Sequence, residues 1–204
     1  MVGSPLEFQN LSQWAGFVFG TVLALIVQGE GQAFFVLMFQ VYSQREKVAY
    51  DLNPANHIDP RSLPVLILVG WAWNRKRMTK PAYFPGSWIP CTLAPLSGAV
   101  AVILLSGILG SVYIFLPGDT LKTAVDACLV IAVANLVIPI PPLALGRALF
   151  CPFQNSARHE WAMENLGAAA ITVLALVEYW MKWPLLQNMI LPICESMSKW
   201  ILHG

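Results

Sequence analysis

Apolar residues run along this chain in blocks divided by short polar interruptions, and the block lengths set the first reading. An apolar stretch over 14–27 continues past Gln28-Gly29-Glu30-Gly31-Gln32 and on to position 41. Read as one helix, 14–41 is roughly 28 residues and about 42 Å long, enough to cross a bilayer with tilt. Its three polar side chains fall at mid-helix, where polar groups are costly and face a bundle interior. The chain then turns polar over 42–61, and Asn53-Pro54 and Asp59-Pro60 punctuate a non-helical excursion. The apolar stretch 62–74 is too short to span, which predicts a re-entrant segment. Longer runs follow over 89–116, 121–150 and 164–183, the middle one broken by Pro139, Pro141 and Pro142. Proline removes a backbone donor and clashes with the preceding turn, so this break needs neighbours that satisfy the freed carbonyls. The last block, 185–202, mixes Gln187, Asn188, Glu195, Ser196, Ser198 and Lys199 with apolar residues and reads as an interfacial helix. The pattern predicts an all-α polytopic membrane protein forming one domain over 1–204. It has about four transmembrane helices, a re-entrant segment and a C-terminal interfacial helix.

Composition supports that class. Of 204 residues 57% are hydrophobic and 11% charged, with a mean hydropathy of +0.61, where a soluble domain carries about 25% charged residues. A formal charge of +1 argues against a nucleic-acid partner. The basic residues are unevenly spread. Arg45, Lys47, Arg61, Arg75, Lys76, Arg77, Lys80, Arg147 and Arg158 fall on one side of the expected spans, and Lys122, Lys182 and Lys199 on the other. The positive-inside rule then makes the basic loops cytoplasmic and puts both termini on the opposite side, as in a bacterial inner-membrane protein. The first thirteen residues carry Glu7 and no Lys or Arg, unlike a signal peptide. Cys91, Cys128, Cys151 and Cys194 lack CxxC spacing, so they read as small apolar residues in or near helices rather than a metal knuckle or redox pair.

Four stretches, in order, bear a family likeness. They are Leu52-Asn-Pro-Ala-Asn-His-Ile-Asp-Pro60, Gly70-Trp-Ala72, Ala94-Pro-Leu-Ser97 and Asn135-Leu-Val-Ile-Pro-Ile-Pro-Pro-Leu-Ala-Leu-Gly-Arg147. Together they resemble the site-2 protease family of intramembrane zinc metalloproteases, the last stretch resembling its Asn-Leu-x-Pro-x-Pro-Pro-Leu-Asp-Gly-Gly-Arg signature. The resemblance implies a site-2-protease-like core over most of the chain. It also implies where the chemistry belongs: a His-Glu-x-x-His helix holding zinc with the glutamate as general base, and an aspartate on the broken helix as third ligand. In that register the ligand positions are Gln28, Gln32 and Ala144, and the base position is Gly29. Amide, methyl and glycine side chains cannot replace imidazole and carboxylate toward a divalent cation, so no metal and no other cofactor is expected. Glu30 lies one residue, hence about 100°, from the base position. It reads as a protonated or hydrogen-bonded side chain packing between helices with Gln28 and Gln32, with a proton-relay or ligand-contact role as the alternative.

No other catalytic constellation is expected. His57 lies in the Asn-Pro loop and reads as a loop hydrogen-bonder, His159 sits in a charged stretch, and His203 is near the end of the chain. Glu178, beside Tyr179, Trp180 and Trp183, reads as a paired or snorkelling group in an aromatic belt. The chain is therefore expected to be a pseudoprotease that acts as an accessory or structural subunit among other integral membrane subunits and membrane lipids. The alternative is a membrane binding protein holding a lipid, quinone, pigment or transmembrane client in a vacated cavity at Gln28, Glu30, Gln32 and Asn135. Residual intramembrane proteolysis comes last.

Overall fold

The computed structural model describes residues 5, 8–39, 50–75, 89–151 and 157–203. Arg45, Lys47, Lys76, Arg77 and Lys80, the proline- and aromatic-rich stretch 81–88, and the side chains of Glu160 and His203 lie outside the described residues. The helices are α1 (Leu11–Phe39), α2 (Pro54–His57), α3 (Leu63–Val69), α4 (Ile89–Phe115), α5 (Asp119–Val137), α6 (Ala144–Phe150), α7 (Ala157–Met181) and α8 (Leu185–His203), with a 3-10 turn at Pro60–Ser62. Among the described residues the one element of β pairing is an isolated bridge between Ile58 and Asn74. Among the described residues four helices are long and apolar enough to cross a membrane: Leu11–Phe39, Ile89–Phe115, Asp119–Val137 and Trp161–Met181.

Helix α5 is the axis of the bundle. Every residue from Thr123 to Asn135 is buried, and α1, α4 and α8 pack against it. The approach of α1 depends on small side chains. A Cβ on Gly20 would stand 2.6 Å from the carbonyl oxygen of Ala124 and 2.7 Å from its Cα, so the two backbones touch where Gly16, Gly20 and Ala24 line α1. Helices in lipid gain little from a hydrophobic effect between them and associate through such close van der Waals packing. On the other side of α1, Gly98 of α4 faces Gln28 and Gln32; a Cβ there would lie 2.8 Å from Gln32 Cγ.

The short apolar segment is helical only over Leu63–Val69. Gly70, at φ 82°, ends it in the left-handed conformation that favours glycine, and Trp71-Ala72-Trp73-Asn74 continues extended and buried. Trp71 and Trp73 are among the largest fully buried side chains. Helix α8 is amphipathic. Leu186, Ile190, Cys194, Ser198 and Leu202, four residues apart, are its buried positions, and it packs on α5 and α4. The Glu178 carboxylate accepts the backbone N–H groups of Leu186 (3.2 Å) and Gln187 (3.1 Å), satisfying free donors of the first turn of α8.

Two sequence expectations are corrected. Cys91 and Cys151 are not isolated apolar residues: they form a disulfide across 60 residues, with Cα atoms 6.2 Å apart, while Cys128 and Cys194 are free and buried. Spacing along the chain could not show this, because the fold brings the first turn of α4 to the end of α6. Arg147, counted among the loop cations, is interior at 4% exposure.

Candidate functional site

Polar side chains from five separate stretches converge around the middle of α1. Successive residues on a helix are 100° apart, so the turn Gln28–Gln32 presents its side chains in different directions. Gln28 and Gln32, one turn apart, share a face beside α4: the Gln28 backbone carbonyl lies against Gly98, and Gln32 Nε2 donates to the carbonyl of Pro95 at 3.3 Å. Glu30 points elsewhere. Its Oε1 accepts the backbone N–H of Asp51 (3.2 Å) and lies 3.4 Å from His57 Nε2, so it anchors the loop before α2. The expectation that Glu30 packs with Gln28 and Gln32 is thus corrected by helix geometry.

His57, fully buried, lies directly over Gly29. Its Nε2 also meets the carbonyl oxygen of Asp51. A Cβ at position 29 would stand 2.7 Å from His57 Cε1 and 3.6 Å from Asn74 Nδ2, so only glycine admits the ring. Asn74 in turn connects α1 to the broken helix: Arg147 Nη1 donates to Asn74 Oδ1 at 3.4 Å, and Arg147 Nε lies 3.3 Å from Glu164 Oε1. The early polar interruption and the proline-broken helix therefore meet through one asparagine.

The break itself is closed by Asn135. Its Nδ2 donates to the carbonyl of Ala72 (3.1 Å) and to that of Ile131 (2.8 Å), while its Oδ1 accepts the backbone N–H of Ala144 (3.3 Å). One amide thus ties the extended stretch after α3 to the first turn of α6. This is the internal satisfaction that a broken helix in lipid requires. The peptide bond between Pro141 and Pro142 is cis, and Gly167 of α7 packs directly on Pro141. Gln28, Glu30, Gln32 and Asn135 thus have distinct neighbours: α4 for the two glutamines, the Asp51–His57 loop for Glu30, and Ala72 with Ala144 for Asn135.

No protein-family model, curated protein or solved structure matches this chain. The site is therefore read from its own chemistry. Among the described residues no group of three His, Cys, Asp or Glu side chains is placed to hold a metal ion. Among the described residues, several buried polar atoms lack a partner: both amide atoms of Gln28, Asn74 Nδ2, Arg147 Nη2 and Trp71 Nε1.

Beside this site lies a second polar knot. Asp59 caps the 3-10 turn by accepting Arg61 N–H (3.0 Å), pairs with the Arg61 guanidinium (2.6 Å) and accepts from Trp73 Nε1 (3.0 Å). Arg61 Nη1 reaches across to Asn165 of α7 at 2.8 Å. Burial pushes the Asp59 carboxyl upward, but the hydrogen bonds from the Arg61 side chain and backbone and from Trp73 outweigh it and hold the group below its ordinary value. A further contact escaped sequence reading: Ser198 Oγ of α8 donates to Asp126 Oδ1 inside the bundle at 2.8 Å. A lone aspartate in the apolar run 121–139 was the available signal.

Proposed function

We propose that this chain is a catalytically inactive membrane protein with a site-2-protease-like core, serving as an accessory or structural subunit of a larger membrane assembly. The observation that carries the reading is what occupies the positions where the resemblance puts catalysis. Gln32 donates its amide into α4, Gly29 lies beneath the His57 ring, and Ala144 offers only a backbone N–H to Asn135. The meeting of the Gln28–Gln32 turn and the broken helix through Asn74 supports the kinship. Glu30, the carboxylate on this turn, already accepts Asp51 N–H and faces His57, which speaks against a role as a free base. The subunit role is supported by unequal burial: the apolar windows of α4 and α7 are 28% and 33% buried, against 72% for α5. Exposed Leu104, Ile108 and Val112 on α4, and Leu166, Val173 and Trp180 on α7, offer apolar surface to lipid or neighbouring subunits. The orientation that goes with this reading is cytoplasmic basic loops in a bacterial inner membrane, with both termini on the other side. Gentle detergent extraction followed by native electrophoresis tests it. Co-migration with other integral membrane subunits is expected, and a lone monomer overturns the proposal.

A second reading has its own support. Unpartnered amide and guanidinium hydrogens at Gln28, Asn74 and Arg147 are costly in a membrane interior and suit the carbonyl or carboxylate oxygen of a lipid or quinone. Native mass spectrometry of the detergent-released chain separates the two: a retained small-molecule mass lost in Asn74→Leu favours the binding role, and a bare chain excludes it. Proteolysis is the least supported activity, and stoichiometric zinc lost on changing Gln28 or Gln32 would restore it.

A further inference from the structure

The Cys91–Cys151 bond joins two helix ends. Cys91 lies in the first turn of α4, and Cys151 is the C-cap of α6, a helix of only 7 residues. Cys91 and Cys151 share a buried cluster with Ala94, with Val36 and Phe35 of the last turns of α1 against it, so three helix ends meet there. The connections that leave these ends hold, in sequence, Arg45, Lys47, Arg75, Lys76, Arg77 and Lys80, and Arg158 stands in the first turn of α7. By the positive-inside rule this end faces the cytoplasm. There, thiols are kept reduced, and a disulfide is as a rule transient and tied to redox sensing. A permanent staple would sit more naturally on the other side of the membrane.

We propose that Cys91 and Cys151 form a redox-responsive latch that fixes the end of the broken helix to α4. The two cysteines are 1% and 2% exposed, but helix ends open locally at low cost, which gives a reagent access. The oxidant is a small-molecule disulfide. One cysteine thiolate attacks it and displaces a thiolate. The second cysteine then attacks the mixed disulfide and displaces the other, so the reagent leaves as two thiols carrying the two cysteine protons. Reduction by a dithiol reverses the exchange, and the dithiol becomes the disulfide. Closing the latch constrains α6, whose Arg147 reaches Asn74 and Glu164, so the redox state bears on the polar site as well as on the helix end. This inference rests on the orientation given above and not on the subunit role.

The test uses the full chain in its native membrane, acid-quenched, denatured and labelled with a polyethylene-glycol maleimide that adds one gel shift per free thiol. With four cysteines in the chain, four adducts are expected from fresh membranes and two after a small-molecule disulfide. Cys91→Ser and Cys151→Ser should each give three from fresh membranes; after oxidation the remaining latch cysteine can only stay as the mixed disulfide with the reagent, leaving two adducts and a retained reagent mass that the unsubstituted chain lacks. Four adducts after oxidation overturn the latch. Two adducts in fresh membranes, unchanged by dithiothreitol applied to the folded protein, overturn it too, and show instead a permanent staple on an oxidising side. Hydrogen exchange reads the mechanical consequence without any variant. Amides of Ala144–Phe150 should exchange at least several-fold faster in the reduced protein, and equal rates refute the coupling.

Discussion

Replacing Gly29 by alanine tests the contact on which the site is built. The added methyl would stand 2.7 Å from His57 Cε1, whereas carbon atoms pack at about 3.5–4.0 Å, so the ring must withdraw by roughly 1 Å. It has no free direction. His57 is fully buried, with Nε2 held between the Asp51 carbonyl and Glu30, and a withdrawal sacrifices one of those partners. Overpacking of this kind costs about 1–3 kcal/mol, partly offset by about 1 kcal/mol from the better helix propensity of alanine. The net change in the native background is therefore modest, and its sign alone is a weak test. The cycle with His57→Ala is a strong one. Without the ring, the methyl enters open space and Gly29→Ala should stabilise by about 1 kcal/mol, so the coupling between the two positions should be about 1–3 kcal/mol. Thermal unfolding in detergent, followed by the fluorescence of buried Trp71 and Trp73, reads it out. For a chain of this size each kcal/mol moves the midpoint by about 2–4 °C. Equal shifts from Gly29→Ala in both backgrounds would mean that the imidazole does not sit over the helix, and the account of this contact would fall.

Asp126→Ala leaves Ser198 Oγ without its acceptor and should loosen α8 at a cost of about 1–3 kcal/mol, with Asp126→Asn milder; hydrogen exchange across α8 checks it, and unchanged exchange in both would deny the carboxylate that role. Gly20→Val forces α1 away from Ala124 backbone atoms that cannot yield, and should lower stability by about 1–3 kcal/mol or more, whereas Gly107→Val, with open space around it, should be near neutral in the same melt. Acid should weaken the fold through Asp59. Its folded value is depressed, so its contribution is present above the ordinary carboxylate range of about 4 and is lost as pH falls through the folded value. Asp59→Asn should lower stability at pH 7 and flatten the acid limb of a melting series from pH 7 to pH 3, and an unchanged limb would remove Asp59 as its source.

What the sequence could and could not reveal divides along a physical line. The spans were legible because lipid imposes length and composition: the helix expected over 14–41 is found at Leu11–Phe39, and that expected over 89–116 at Ile89–Phe115. The break was legible for the same reason, since prolines at 139, 141 and 142 cannot continue a helix, and α5 ends at Val137. Facing was not. Helices α1, α4 and α5 are apolar nearly all round, so no stripe shows which side meets which neighbour, whereas in α8 the four-residue spacing of Leu186, Ile190, Cys194 and Leu202 marks one face. In such helices the information about contacts moves to the exceptions, glycines and isolated polar residues. Gly20 marks the touch with α5, Gly29 the seat of His57, Asn135 the tie between Ala72 and Ala144, and Asp126 the dock of α8. Each exception names one half of a contact, because the partner lies elsewhere in the chain: Ser198 is 72 residues from Asp126, and Cys151 is 60 from Cys91. The candidate site was therefore half legible. Order and spacing pointed to Gln28, Gly29, Gln32 and Ala144 as positions of interest. What meets them, the His57 imidazole over Gly29 and Asn135 against Ala144, could be read only once the helices were assembled.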